Sequence, residues 1–170
     1  NIDIPSSLTS IGENAFNECS SLIQITIPSS VISIYKLAFH SCTSLKKVTF
    51  ESPSSLQTIK YFMFNMCTSL EEITIPSSVT IIESYAFENC KSLKKMIIPS
   101  SVKLIGHKAF NECSSLTHIS ILSSDISICE KVFNINTAVL SNDMIIVPPK
   151  CFYLCSLLTH ITIPSSIKSI

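Results

Sequence analysis

The chain copies itself. The unit Ile-Pro-Ser-Ser-Val-x-x-Ile-x-x-x-Ala-Phe-x-x-Cys-x-Ser-Leu-x-x-Ile-Thr returns with a period of 23 along a chain of 170 residues. Prolines mark it at Pro5, Pro28, Pro53, Pro76, Pro99 and Pro164, with Leu122 in one of the slots. Phe16, Phe39, Phe64, Phe87, Phe110, Phe133 and Phe152 mark it again, as do Cys19, Cys42, Cys67, Cys90, Cys113 and Cys155. Two residues are inserted near Glu51-Ser52, and the stretch 134–150 is irregular. A period of this size means a solenoid: one unit cannot bury its own apolar side, and stacked units share a continuous core.

Each unit has a physical reading. Leu22-x-x-Ile25-Thr26-Ile27 alternates apolar and polar side chains, the pattern of a half-buried strand. Val48-Thr49-Phe50, Ile73-Thr74-Ile75, Met96-Ile97-Ile98, Ile119-Ser120-Ile121 and Ile161-Thr162-Ile163 are its copies. Pro-Ser-Ser then turns the chain, because proline fixes φ and serine hydroxyls bond nearby backbone. A second apolar pair follows, such as Val31/Ile34. A short helical or 3₁₀ turn is expected to carry Ala15-Phe16, Ala38-Phe39, Ala86-Phe87 and Ala109-Phe110. The expected architecture is an α/β repeat solenoid, a right-handed coil of about seven turns over residues 1–170. A parallel sheet covers one face, and short strands and 3₁₀ turns cover the other. Between Asn134 and Pro149 the pattern decays: Asn136 takes the Cys slot and the strand slot falls near Asn142. Both ends of the chain lie inside the repeat, which predicts that it is a piece of a longer protein.

Composition narrows the partner classes. Hydrophobic residues make up 46% and charged residues 14%, so the chain has ample material for a core. Lys plus Arg and Asp plus Glu are 12 each, which gives no whole-domain attraction to nucleic acid or anionic lipid. No basic run of any length is visible in the linear sequence, and no apolar stretch approaches the ~18 residues of a membrane span. Neither a nucleic-acid partner nor direct membrane insertion of this segment is expected.

The run Ile-Pro-Ser-Ser-Val-x-x-Ile, then Ala-Phe-x-x-Cys-x-Ser-Leu, then Ile-Thr-Ile-Pro resembles the BspA-type leucine-rich repeat over nearly the whole chain. The resemblance implies a surface or secreted protein of the kind found in bacteria and anaerobic protists. It also implies adhesion or protein binding and no shared catalytic residues.

The reactive side chains follow the repeat. Six thiols share one slot, which marks them as small buried hydrophobes in a ladder. No Cys-x-x-Cys pair is present, so structural zinc is not expected, and Cys151-x-x-x-Cys155 near His160 is a thin metal hint. The Ser-Ser pairs sit at every corner and single out no nucleophile, and a Gly-x-Ser-x-Gly elbow is absent. Only Gly12 and Gly106 are glycines, which excludes Gly-rich phosphate loops. No catalytic site, cofactor or metal is expected. A protein partner is expected to meet the outer face of the main sheet. Its central row is Thr26, Thr49, Thr74, Ile97, Ser120 and Thr162, flanked by Gln24, Lys47, Glu72, Lys95, His118 and His160. Lys46-Lys47, Glu71-Glu72 and Lys94-Lys95 alternate in sign from coil to coil and should pair across strands. Ile97 breaks the threonine row with an apolar side chain. Asn-x-Ser/Thr sequons are absent. The alternative to a surface adhesion domain is therefore an intracellular scaffold in a larger, for example cytoskeletal, assembly.

Overall fold

The computed structural model describes residues 2–122 and, beyond them, the backbone of strands at 127–128, 137–140 and 160–162. In chain order the strands begin β1 (Ser10–Ile11), β2 (Gln24–Ile27), β3 (Ser33–Ile34), β4 (Lys47–Phe50), β5 (Thr58–Ile59) and β6 (Glu72–Ile73). They continue with β7 (Ile81–Ile82), β8 (Lys95–Ile98), β9 (Leu104–Ile105), β10 (His118–Ile121), β11 (Ser127–Ile128), β12 (Thr137–Leu140) and β13 (His160–Thr162). Every described pair is parallel, as coils stacked in one direction require. The front face carries β2-β4-β6 and then β8-β10-β12-β13, and the back face carries β1-β3 and then β5-β7-β9-β11. The front strands alternate as their sequence dictates: Gln24 and Thr26 face out while Ile25 and Ile27 are buried, and Lys95-Met96-Ile97-Ile98 repeats the pattern. The Pro-Ser-Ser corners close with Val31 N–H on the Pro28 carbonyl at 3.0 Å and Val102 N–H on that of Pro99 at 3.1 Å.

The solenoid is all-β among the described residues. The expected helical or 3₁₀ turn at Ala-Phe, and with it the α half of the α/β description, is not observed. Backbone geometry supplies the reason. Asn14, Glu18, Leu37, Ser41, Phe62, Met66, Tyr85, Asn89, Lys108 and Glu112 all have φ between 53° and 62°, two per coil and four positions apart. A left-handed residue cannot continue a right-handed helix. Alternate N–H groups are also directed between coils: those of Tyr85, Phe87 and Asn89 donate to the carbonyls of His107, Ala109 and Asn111 at 3.0, 2.8 and 2.9 Å. In a helix the same groups would point along their own segment.

These turns set a column of rings at the centre. Phe39, Phe64, Phe87 and Phe110 are fully buried. Centroid separations from Phe16 to Phe110 are 5.2, 5.4, 5.4 and 5.2 Å, close to the parallel-strand spacing. Leu45, Leu70 and Leu93, and Ile34, Ile59 and Ile82, form parallel columns beside it. Gly106 is buried against the backbone of Ser84 with no room for a Cβ, whereas Gly12 in the same slot faces open space.

The decayed segment still contributes a strand. The period puts its strand slot near Asn142, but β12 lies at Thr137–Leu140 and pairs Val139 with Ser120 on one side and Thr162 on the other. The step from Ser120 to Val139 falls four short of the repeat. Thr-Ala-Val-Leu supplies the β-forming side chains, and Ser141-Asn142-Asp143 is turn-forming. The rest of 134–150 lies outside the described residues.

Phe87→Ala should destabilise the chain by about 3–5 kcal/mol in urea unfolding, and Phe16→Ala, at a partly buried end of the column, by less. A Phe87→Ala loss under ~1 kcal/mol would place the ring outside the core. At exposed Glu112, φ 58°, Glu112→Val should cost about 1–2 kcal/mol while Glu112→Asn is neutral or better. Equal effects of the two would remove the left-handed constraint.

Candidate partner-binding face

The interior chemistry is structural. Cys19, Cys42, Cys67, Cys90 and Cys113 are free thiols in one column. Cys42, Cys67, Cys90 and Cys113 donate to the carbonyls of Phe16, Phe39, Phe64 and Phe87 at 3.0, 3.2, 3.2 and 3.1 Å. Burial first, and the neighbouring thiols second, push Cys67 and Cys90 well above the ordinary thiol range. Thiolate, the nucleophilic and metal-binding form, is correspondingly disfavoured there. Corner serines serve the stack in the same way: Ser30 and Ser78 hydroxyls donate to the Leu8 and Leu56 carbonyls, each at 2.7 Å. Among the described residues no group of three His, Cys, Asp or Glu is placed to hold a metal ion. Cys151, Cys155 and the His160 side chain lie outside them.

One polar line escapes a reading of the sequence alone. Glu88 accepts from the amides of Asn65, one coil before, and Asn111, one coil after, both at 3.0 Å. Asn65 is the buried polar residue of the core. The signal is nonetheless present, since positions 65, 88 and 111 are separated by the repeat length of 23.

The front sheet brings most of the expected binding residues together. Gln24, Lys47 and Glu72 are register partners, as are Thr26 and Thr49, Lys95 and His118, and Ile97 and Ser120. Gln24, Thr26, Lys47, Thr49, Glu72, Thr74 and Lys95 are exposed, Ser120 is half-buried, and Ile97 is 45% exposed. His160 and Thr162 occupy β13, where they pair with Thr137 and Val139, two positions that the shortened repeat step conceals. The side chains of His118, His160 and Thr162 are outside the described set.

The row is not continuous. Thr74 lies beyond the end of β6, and no backbone hydrogen bond joins 71–75 to 94–98. The sign alternation is half realised. Lys46 reaches Glu71 at 3.9 Å and Lys47 reaches Glu72 at 3.4 Å. These pairs are solvent-exposed and contribute of order 0–1 kcal/mol each. Glu71 and Glu72 make no ion pair with Lys94 or Lys95. Instead a groove of about 250 Å³ opens between them, lined by Glu71, Glu72, Ile73, Thr74, Lys94, Lys95 and Ile97. The linear sequence shows no basic run, yet 89–111 holds Lys91, Lys94, Lys95, Lys103 and Lys108 with no Asp or Glu.

Stacked parallel coils with this repeat define a leucine-rich repeat protein. The BspA-type leucine-rich repeat region matches over residues 1–117, 49–135 and 80–170, and the chain belongs to that family. It is similar to a leucine-rich repeat protein of Bacteroides ovatus (29% identity over 94% of this chain and 42% of that one, TM-score 0.73). It is also similar to a leucine-rich cell surface protein of Faecalibacterium prausnitzii (30% identity, 95% and 44% coverage, TM-score 0.79). A third structure, the T. pallidum leucine-rich repeat protein, matches at 26% identity over 87% of this chain and 72% of that one, with a TM-score of 0.72. The chain thus spans under half the length of the first two. No curated protein sequence matches it.

The thiol column makes stability depend on pH. Burial, and then the neighbouring thiols, raise Cys67 and Cys90 in the folded chain, whereas in the unfolded chain they ionise near pH ~8.5. The folded state therefore holds more protons above that pH, and stability falls as pH rises. Stability in denaturant titrations is expected to fall progressively above pH ~8.5, and Cys90→Ala should lessen the fall. A stability unchanged between pH 7 and 10 would contradict the buried protonated column.

Proposed function

We propose that the chain is a non-catalytic protein-binding domain of the adhesion type, and that its partner meets the front sheet. One observation carries this reading. The outward side chains of β2, β4, β6 and β8 are exposed while every inward neighbour on these strands but half-buried Phe50 is buried, so the outer row is not needed for the core. A face of this kind presents many side chains at fixed spacing on a stiff backbone, which lowers the ordering cost of binding. Kinship with a bacterial protein described as a leucine-rich cell surface protein supports a surface role. No nucleic-acid or membrane-inserting role is proposed, and no cofactor.

The test is site-specific photocrosslinking. A benzophenone side chain is placed at Thr26, Thr49 or Ile97 on the front, or at Lys103 beside the back strands. The chain is then incubated with surface extracts of cells or tissues to which the source organism adheres. Adducts of one defined protein from front positions, absent from Lys103 and lost in a Lys47/Glu72/Lys95/Ile97→Ala variant of unchanged stability, are expected. Adducts only from Lys103 would move the function off the front sheet.

A further inference from the structure

Resting on the front-face reading, we infer that the groove between β6 and β8 is the specificity site, and that it takes an extended acidic segment of a protein partner with an apolar side chain beside its carboxylate. The groove is a localised opening: among the described residues it is where two neighbouring front strands are wholly unpaired. At the same coil step the back strands β7 and β9 remain paired, Ile81 with Leu104 and Ile82 with Ile105. The rings also remain stacked, at 5.4 Å from Phe64 to Phe87 and 5.2 Å from Phe87 to Phe110. The Phe64–Phe87 planes are tilted by 14°, against 7°, 7° and 2° elsewhere in the column. The front strands are thus unpaired at a step where the back strands stay paired, a wedge in the hydrogen-bond ladder.

The wedge exposes three kinds of contact. Backbone groups of 71–75 and 94–98 that are bonded at other coil steps lack that partner here. An extended chain lying along the opening can bond them. Ile97 offers an apolar patch between Thr74 and Ser120 in the row that begins at Thr26 and Thr49. The two charged walls differ in engagement: Glu71 and Glu72 on one are already paired with Lys46 and Lys47, whereas Lys94 and Lys95 on the other have no ion-pair partner among the described residues. Lys36 and Lys60 are likewise paired, with Glu13 and Glu83. What the groove lacks is a carboxylate facing Lys94 and Lys95. Lys95 and Ile97 share the outer face two positions apart, so an acidic residue two positions from an apolar one on an extended chain supplies both, since side chains two apart share one face of a strand.

A fluorescent short peptide of Glu-Ser-Val-Ser repeats, which sets Glu and Val on one face and is called the Glu/Val peptide, is the probe, read by anisotropy on the 170-residue chain. Lys-Ser-Val-Ser repeats (Lys/Val), Glu-Ser-Ser-Ser repeats (Glu/Ser), and heparin as a generic polyanion, are the comparisons. Saturable binding of the Glu/Val peptide is expected, about tenfold tighter than Glu/Ser. It should weaken about tenfold in Lys94→Gln/Lys95→Gln and severalfold in Ile97→Ser, with Lys36→Gln silent. The altered side chains are exposed, and urea midpoints check that each variant folds. Equal binding of Glu/Ser peptide and heparin with Ile97→Ser silent would reduce the groove to a generic anion surface and overturn the inference. Absence of saturable Glu/Val binding overturns it too. Crosslinking from Thr26 and Thr49 but not from Ile97 would leave the front-face reading intact and sink this one alone.

Discussion

Register between coils governs this molecule, and the Phe column enforces it. A ring at 5.2–5.4 Å from its neighbour fixes how far each coil sits from the next. The N–H groups around it then reach the following coil's carbonyls. Backbone and ring thus demand the same spacing, and that agreement lets ten non-glycine residues hold a left-handed φ. Each such residue costs of order 1–2 kcal/mol, offset by the ladder it completes and by the buried area on either side. The thiols belong to the same arrangement, because Cys42, Cys67, Cys90 and Cys113 each donate to the carbonyl of the Phe one coil back.

A stack held at its centre can open at its edges without coming apart, and this one does so twice. On the back, β3 and β5 are unpaired where Glu51-Ser52 lengthens the corner, so that the step from Val48 to Ile73 exceeds the repeat by two. On the front, β6 and β8 are unpaired while the back strands behind them stay joined. The two openings fall on opposite faces, separated by a coil step at which both β4–β6 and β5–β7 stay paired. The insertion accounts for the first through the extra length of chain. The second coincides with the largest ring tilt and with a charge row whose acids are already engaged on the preceding coil.

Much of this is legible in the sequence. The period implies the stack, the alternation at Gln24–Ile27 and Lys95–Ile98 implies the faces, and the shared Cys slot implies a buried column. What is not legible has identifiable causes. The Ala-Phe turn looks helical because Ala, Phe and Glu tolerate helices. Nothing in Tyr85 or Leu37 announces a left-handed φ, since that conformation is imposed by neighbouring coils. β12 departs from its expected place because a fixed period does not hold across the shortened step from Ser120 to Val139. The sign alternation is right as residues and wrong as pairs: Glu71 and Glu72 can close on only one of their neighbours' lysines once the front sheet parts beside them.

That last point bears on where specificity can reside in a repeat protein. A position identical in every coil cannot distinguish one part of the surface from another, so discrimination must come from departures. Here three coincide. Ile97 interrupts the threonine row, Lys94 and Lys95 lack the acids that engage Lys46 and Lys47, and the backbone beside them is unbonded. Each alone is ordinary; surface isoleucines and unpaired lysines are common. Together, on one coil edge, they combine apolar contact, charge and backbone bonding within reach of a single extended chain, whereas at the β2–β4 and β8–β10 steps the front ladder closes that backbone over four residues.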